Sequence, residues 1–318
     1  MIKTAPIVLF CYNRIGHLKK TLNSLKRNKL SKFSKLIIFS DGPKNKLDEL
    51  KIKNLRKYLR KIKGFKSIDI KEQINNKGLA QSIIDGLNLI FTKHSSAIIL
   101  EDDLVVSRNF LTYMNDGLNY FRNNDKVISI HGYTYPLEVN KNDPEYFFLK
   151  GADCWGWATW AKSWRIFEKN GRKLQSKIID KKQNSEFNFN NSFDYMKMLN
   201  NQIIGKNNSW AIRWYASAFL KNKLTLYPKK TFVKNIGTDG SGTHGAERYI
   251  NYNVKNFLEN SYIPIKSAGI KNKENKIMKK KIEAYFKKIK KYQKIKKIIK
   301  FFFFKKLKFK NKVNVSFK

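Results

Sequence analysis

Short apolar segments alternate with longer amphipathic segments over residues 4–131, and this alternation constrains the fold more than any other feature of the chain. The apolar segments predict five strands, at residues 6–12, 35–40, 67–73, 97–100 and 127–131. Between successive strands, leucine and isoleucine recur at helical spacing. This order predicts a parallel, doubly wound α/β sheet, in which ligands bind at the carboxyl ends of the strands.

Polar residues follow the first four predicted strands, where such a sheet binds its ligand. They are Asn13-Arg14, Asp41-Gly42, the loop at 75–78 and Glu101-Asp102-Asp103. Because the carboxyl ends of parallel strands meet at one edge of a sheet, we expect these clusters to converge. The loop at 75–82 also begins a predicted helix. In one interpretation the free N–H groups at the start of this helix bind an anion. In the other they belong to an ordinary helix cap.

The acidic triplet Glu101-Asp102-Asp103 is unusual in a chain with 66 Lys and Arg residues against 24 Asp and Glu residues. Buried carboxylates are costly unless a positive group neutralises them. Mn²⁺ or Mg²⁺ is the natural partner because hard cations prefer carboxylate oxygens, and such a cation would neutralise a diphosphate leaving group. The alternative is a solvated loop or a helix N-terminus, where acidic residues complement the helix dipole. The position directly after a central apolar strand favours the metal site.

Two later segments have both a functional and a purely structural interpretation. Residues 151–160 are rich in glycine and tryptophan, which suits either a platform for a sugar or a packed aromatic core. Residues 235–245 contain four glycines. They are either a mobile loop that closes on phosphate, with His244 donating to it, or a flexible surface turn.

The last segment, residues 271–318, carries 20 of the lysines and only two glutamates. Its apolar residues recur at three- and four-residue steps, which predicts a basic amphipathic helix on anionic lipid headgroups. Nucleic-acid binding and a merely soluble lysine-rich terminus are the alternatives. With two cysteines and no run of about 18 apolar residues, the sequence predicts a cytoplasmic protein, peripheral on the inner face of the cytoplasmic membrane.

Three of these segments resemble a known family. The run from Pro6 to Arg14, the Asn76-Lys77-Gly78 loop and the run from Glu101 to Leu104 are similar to the nucleotide-sugar half of GT-A fold glycosyltransferases. The pattern resembles the protein N-acetylglucosaminyltransferase I family and its bacterial family-2-like relatives. Gly156-Trp157 and the glycine-rich loop extend the similarity to roughly residues 5–250, so the basic tail lies outside it.

The resemblance implies a GT-A type, mostly parallel α/β sheet with a helical, aromatic-rich acceptor half. It also implies an inverting transfer from a UDP-type donor, assisted by Mn²⁺ or Mg²⁺. By similarity, Asp103 would bind the metal, Asp102 the ribose or the metal shell, and Ser82 would lie near the base. The other donor-binding residues would be Arg14, Asp41, Asn76, Lys77, Gly78 and His244.

The resemblance leaves the catalytic base open. In the animal enzymes the base is an acid beside a tryptophan on a helix after the Gly-Trp segment, whereas residues 209–214 here contain no acid. An acceptor hydroxyl must nevertheless lose its proton as it attacks the anomeric carbon. Asp153 is the first candidate and Asp194 the second.

These observations predict a metal-dependent hexosyl- or N-acetylhexosaminyl-transferase of surface polysaccharide or lipopolysaccharide synthesis. Residues 1–135 would bind the nucleotide-sugar donor, residues 136–265 would bind a glycan or lipid-linked acceptor, and residues 266–318 would contact the membrane. A nucleotidyltransferase that makes a nucleotide-sugar is one alternative. A non-enzymatic nucleic-acid-binding protein is the other, although charge alone favours it and we expect no nucleic-acid partner.

Overall fold

The structure is a computed structural model that describes residues 4–240 and 257–313, with side chains described as far as residue 295. The strands are β1 (Ile7–Cys11), β2 (Lys35–Ser40), β3 (Ser67–Glu72), β4 (Ser96–Glu101), β5 (Leu104–Val106), β6 (Val127–His131), β7 (Tyr146–Lys150), β8 (Trp157–Trp160), β9 (Leu224–Pro228) and β10 (Val233–Asn235). The α-helices are α1 (Ile15–Lys26), α2 (Lys46–Leu59), α3 (Leu79–Phe91), α4 (Phe110–Tyr120), α5 (Ala161–Trp164), α6 (Gly171–Asp180), α7 (Asn184–Phe187), α8 (Tyr195–Ile203), α9 (Trp210–Leu220) and α10 (Lys276–Val313).

The main sheet has eight strands in the order β3-β2-β1-β4-β8-β6-β9-β7. Strands β3, β2, β1 and β4 are parallel, as are β6 and β9. This confirms the predicted doubly wound, mostly parallel α/β fold. The chain moves outward from β1 to β3 and then returns to place β4 on the other side of β1. The topological switch point therefore lies between β1 and β4.

Five of the ten strands within the described residues were not predicted, and one of them, β8, lies between two strands that were. Strand β8 comes from the Gly-Trp segment and pairs antiparallel with both β4 and β6, so the fourth and fifth predicted strands are not neighbours. All four residues of β8 are buried. Trp157 and Trp160 therefore belong to the core, as the structural interpretation of this segment predicts, while Trp155 is half-buried.

Apolar layers cover both faces of the sheet because strand side chains alternate in direction. On β1, Ile7 and Leu9 face a layer that includes α1 and α4, whereas Val8 and Phe10 face a layer that includes α3. The second layer also contains four tryptophans, Trp157, Trp164, Trp210 and Trp214. The segment at 209–214 is thus anchored in the core by its tryptophans.

A second, two-stranded sheet pairs β10 antiparallel with β5, and Asn235 lies opposite Leu104. Since β5 begins directly after Asp103, this pairing brings the glycine-rich segment to the acidic triplet. The backbone N–H of Ile236 donates to the carbonyl of Asp103 at 2.9 Å. The small sheet therefore positions the start of the predicted loop beside the predicted metal ligand.

The predicted tail helix is present as α10, but its first turns belong to the body of the protein. Met278, Ile282 and Phe286 are buried in the main core. The ring of Phe286 lies 4.9 Å from that of Tyr135 and 4.8 Å from that of Phe193. The prediction that the apolar face of the tail meets lipid is therefore wrong for Ile282 and Phe286. Within the described residues, no helix is both long and apolar enough to cross a membrane.

Candidate active site

The acidic triplet lies at the switch point, where β4 ends beside β1. Asp102 is buried and receives the backbone N–H of Tyr12 at 3.4 Å on its carboxylate. Its own carbonyl accepts a hydrogen bond from the Thr21 hydroxyl at 2.8 Å. The loop after β1 and the first helix therefore hold the backbone and the side chain of Asp102 together.

Arg14 forms an ion pair with both aspartates. Its Nη2 donates to the carboxylate of Asp102 and, at 2.8 Å, to that of Asp103. The Arg14 side chain is 20% exposed and the Asp103 side chain 13%, so the pair lies at the floor of the site and remains in reach of a ligand. The predicted convergence of the first and fourth clusters is confirmed by these contacts.

One arginine does not balance three acids. Burial, together with the charges of Asp103 and Asp102, raises the pKa of Glu101 to about 8. Burial also raises the pKa of Asp102 to about 6, although the Arg14 charge acts in the opposite direction. Glu101 and Asp102 thus resist ionisation, and a further positive charge beside them would favour their ionised forms.

Asp41 organises the loop at 75–78. Its carboxylate accepts the backbone N–H groups of Lys77 and Gly78, each at 2.9 Å, and the side-chain amide of Asn76 at 3.1 Å. The second and third clusters therefore meet, as predicted. However, the backbone N–H groups of Lys77 and Gly78, which one interpretation of the sequence left free for an anion, donate to Asp41 instead. Gly78 has φ 73°, a left-handed conformation that favours glycine.

Ser82 lines a small cavity of about 100 Å³, together with Asp41 and Lys77. Its hydroxyl is buried and has no hydrogen-bond partner among the described residues. The Nζ of Lys77 pairs with Asp85 at 2.9 Å. Ser82 is therefore a predicted donor-binding residue with a polar atom left for a ligand. A larger cavity of about 480 Å³ is formed elsewhere by other residues, including Asn88 and Trp164.

The start of the glycine-rich segment lies directly on Asp103. A Cβ atom at Gly237 would be 2.1 Å from Oδ2 of Asp103, so the segment can approach this closely only because residue 237 is glycine. Asp239 lies 3.0 Å from Nε2 of His17. His244 lies outside the described residues, and its role over the diphosphate stays a prediction.

Asp153, the first candidate base, is held by three donors. The hydroxyls of Tyr135 and Tyr227 donate to Oδ2 at 3.2 and 3.4 Å, and the N–H of Cys154 donates to Oδ1 at 2.8 Å. His131 lies 3.9 Å from the same carboxylate. The Asp153 side chain is 24% exposed, so this oriented carboxylate is open to a hydroxyl from outside.

Cys154 links Asp153 to the acidic triplet. Burial raises the pKa of this free thiol, and the negative charges of Asp153, Glu101 and Asp103 raise it further. All three carboxylates are therefore close enough to act on the same sulfur. The candidate base and the predicted metal ligand accordingly share one region of the molecule.

Asp194, the second candidate base, has different surroundings. Its side chain is 54% exposed, precedes α8 and lies 3.6 Å from Nζ of Lys290 on α10. Asp194 contacts the tail helix and, within the described residues, forms no ion pair or hydrogen bond with the acidic triplet. A catalytic role for Asp194 stays a prediction that the geometry does not favour.

Sequence reasoning missed Asp48, which orders the loop after β1. Its carboxylate accepts hydrogen bonds from the Tyr12 hydroxyl and the Asn13 amide, both at 2.7 Å. These bonds lower the pKa of Asp48. The available signal was local: Asn45 caps α2 by accepting the N–H of Asp48, a pattern that fixes this carboxylate in the first turn. Tyr135 and Tyr227 had no comparable signal because they are far from Asp153 in the chain.

The acidic site fits a divalent cation through one aspartate. Among the described residues, no three His, Cys, Asp or Glu side chains form a group that could hold a metal. Asp102 is buried and engaged by Arg14 and Tyr12, so Asp103 is the residue that would hold the cation. The remaining ligands would come from the donor and from water.

The comparisons with known proteins found distant similarity to solved structures. No family model and no curated protein matches the chain. The solved structure of S. aureus TarS 1-349 is similar with a TM-score of 0.34 and 10% identity over 51% of this chain and 48% of that one. That of S. aureus TarS gives 0.34 and 9% over 52% of this chain and 30% of that one. The chain thus covers about half or less of these structures, and its function has to be inferred from its own site.

Proposed function

We propose that this chain is a metal-dependent, inverting glycosyltransferase that uses a nucleotide-sugar donor, of the UDP type. The observation that supports it most strongly is the ion pair of Arg14 with Asp102 and Asp103 at the switch point between β1 and β4. Ligands of doubly wound sheets bind at this point. A guanidinium, buried acids and a close glycine segment there suit a diphosphate and its cation.

Each residue of the site has a defined part in this proposal. Mn²⁺ or Mg²⁺ bound at Asp103 would neutralise the charge that develops on the diphosphate. Arg14 would pair with phosphate oxygens, and Ser82 would donate to the nucleoside from the small cavity. Asp153, oriented by Tyr135 and Tyr227, would accept the proton of the acceptor hydroxyl as it attacks the anomeric carbon.

Calorimetric titration with UDP-, GDP- and dTDP-sugars, with and without Mn²⁺, tests the donor half of the proposal. We expect one donor to bind in the presence of Mn²⁺, and Asp103→Asn to weaken that binding by roughly 100-fold through loss of a charged ligand. Asp125→Asn is the matched control, because it removes the same charge from a side chain that is 84% exposed. If the wild-type protein binds no donor with or without Mn²⁺, the proposal is wrong.

A nucleotidyltransferase would also bind nucleotide at a site of this kind, but its products differ. It would consume a nucleoside triphosphate and a sugar phosphate and release pyrophosphate. A glycosyltransferase releases the nucleoside diphosphate. The product found after incubation with the bound donor therefore decides between the two.

We also propose that the acceptor is a glycan or lipid-linked intermediate of surface polysaccharide or lipopolysaccharide synthesis. The sugar added to it would be a hexose or an N-acetylhexosamine. The proposal rests on the distal part of the tail. From Lys287 to Ile295, the lysines of α10 are exposed, and Tyr292 and Ile295 are 49% and 44% exposed. Such a surface suits anionic headgroups at the inner face of the cytoplasmic membrane.

A further inference from the structure

One oxygen of Asp103 is enclosed from two sides. Oδ2 accepts the Nη2 of Arg14 at 2.8 Å, and it also lies against the backbone of Gly237, where a Cβ atom would be only 2.1 Å away. A cation that approaches Oδ2 therefore meets the guanidinium of Arg14 on one side and the glycine backbone on the other. The positive charge of the guanidinium opposes binding of a cation to this oxygen as long as Arg14 stays in place.

Arg14 also has an unused donor. Its Nη1 is buried and has no hydrogen-bond partner among the described residues. Buried donors without an acceptor are uncommon in proteins, and each calls for an explanation. An anionic oxygen that entered the site beside Arg14 would supply the missing acceptor, and a guanidinium is well suited to phosphate oxygens.

The position of Arg14 allows such an exchange. Arg14 is the residue before α1 and makes no side-chain cap to that helix, so the helix does not fix its guanidinium. Its side chain is 20% exposed, whereas Asp102 beneath it is 4% exposed. The aspartates are therefore the fixed half of the ion pair and the arginine is the half that can turn.

We propose that Arg14 is the built-in counter-ion of Asp102 and Asp103 and competes with the divalent cation for Asp103. In the donor-free protein Arg14 neutralises both aspartates and keeps the affinity for a free cation low. When the donor and its cation bind, Asp103 exchanges Arg14 for the cation, and Arg14 pairs with a diphosphate oxygen through Nη1. This second step rests on the proposed function, whereas the competition for the cation does not require a donor.

The competition is tested by titrating the donor-free protein with Mn²⁺ and measuring free Mn²⁺ by electron paramagnetic resonance. Arg14→Gln removes the competing charge, so we expect Mn²⁺ to bind about 10-fold tighter or better than to the wild type. Arg14→Lys retains the charge and should bind Mn²⁺ like the wild type. Lys20→Gln is the matched control, because it removes one exposed charge from the helix that follows Arg14, where salt screens it.

Equal Mn²⁺ affinity in Arg14→Gln and the wild type, or weaker affinity in the variant, would overturn the proposal. A wild type that binds no Mn²⁺ alongside an Arg14→Gln protein that does would support it. Circular dichroism establishes that each variant is folded.

If Arg14→Gln does not fold, the wild type itself provides the second test, by nuclear magnetic resonance of labelled arginine side chains. The Arg14 signal, assigned by its loss in Arg14→Lys, should shift when Mg²⁺ and UDP are added together. An unchanged signal in protein that binds both ligands overturns the exchange. Failure of the proposed function is distinct, because it appears in calorimetry as absence of donor binding.

Discussion

Gly237 shows how a single residue determines the geometry of the site. Its backbone lies against Oδ2 of Asp103, the oxygen that Arg14 also contacts, so the side chain of Asp103 has little freedom to move. Catalytic groups displaced by about 1 Å can lose roughly 100-fold in rate. Under the proposed function, the absence of a side chain at residue 237 matters for activity rather than for the core.

We expect Gly237→Ala to lower kcat by roughly 100-fold with little loss of stability, because the new methyl group displaces Asp103 or the segment at 235–240. Transfer assays and thermal melting of the same preparation measure both effects. Gly16→Ala is the control, since a Cβ atom there meets no atom within 4 Å and alanine favours the helix. Wild-type activity in Gly237→Ala would show that Asp103 can adjust at no cost.

At the scale of elements, the apolar periodicity within a segment was sufficient to predict several of the strands and helices. Strands β2 and β6 have the predicted bounds, and the helices α3 and α4 lie between predicted strands, where the helical spacing of leucine and isoleucine placed helices. Apolar periodicity specifies such elements because each one buries a single stripe or face. The meeting of Arg14 with Asp103, and of Asp41 with the loop at 75–78, followed from the parallel arrangement of the strands in the same way.

The rest depended on pairing between distant segments, which periodicity does not encode. Strand β8 lies between β4 and β6, where all four of its residues are buried. The sequence of a fully buried strand is a continuous apolar segment, and such a segment does not indicate which strands it pairs with. The Asp153 cluster depends on Tyr135 and Tyr227, which only the folded sheet brings together. The docking of α10 was missed for the same reason, since an amphipathic face does not show what covers it.

The tail helix therefore has two parts that truncation should separate. Removing residues 287–318 deletes fourteen lysines and no acid, and we expect the protein to remain folded and to lose binding to anionic vesicles. Removing residues 276–318 also deletes Met278, Ile282 and Phe286, so we expect unfolding or aggregation. Vesicle sedimentation and thermal melting distinguish the two truncations.

Neutral vesicles are the control for charge, and Phe301→Ser with Phe302→Ser in the full chain tests the apolar contribution. The membrane proposal fails if the protein lacking residues 287–318 still sediments with anionic vesicles. The structural prediction fails if the protein lacking residues 276–318 melts like the wild type.

At the scale of the whole molecule, the parallel part of the sheet supplies the acidic site and the mixed part supplies Asp153. Strand β8 joins them by pairing with β4 on one side and β6 on the other. His131 ends β6 at this junction, and its Nε2 accepts the N–H of Trp155 at 3.1 Å. This hydrogen bond requires a neutral imidazole, so the protonation of one buried side chain affects the contact between both parts.

The stability of the molecule should therefore depend on His131. Burial lowers the pKa of His131 from 6.5, an effect that exceeds the opposite influence of Asp153. Below pH 6.5 the unfolded chain binds a proton at this residue that the folded protein does not, so stability falls as the pH decreases. We expect His131→Gln, which retains an acceptor for Trp155, to reduce the loss of Tm between about pH 8 and about pH 5 by roughly 2–4 °C.

His94→Gln is the control for this prediction. The pKa of His94 is also lowered by burial, but this residue is only half-buried, so its replacement should change the pH dependence of Tm less. Thermal melting across this pH range would contradict the assignment if the wild type and His131→Gln lost the same Tm, because the buried neutral histidine would then contribute nothing to the acid sensitivity of the fold.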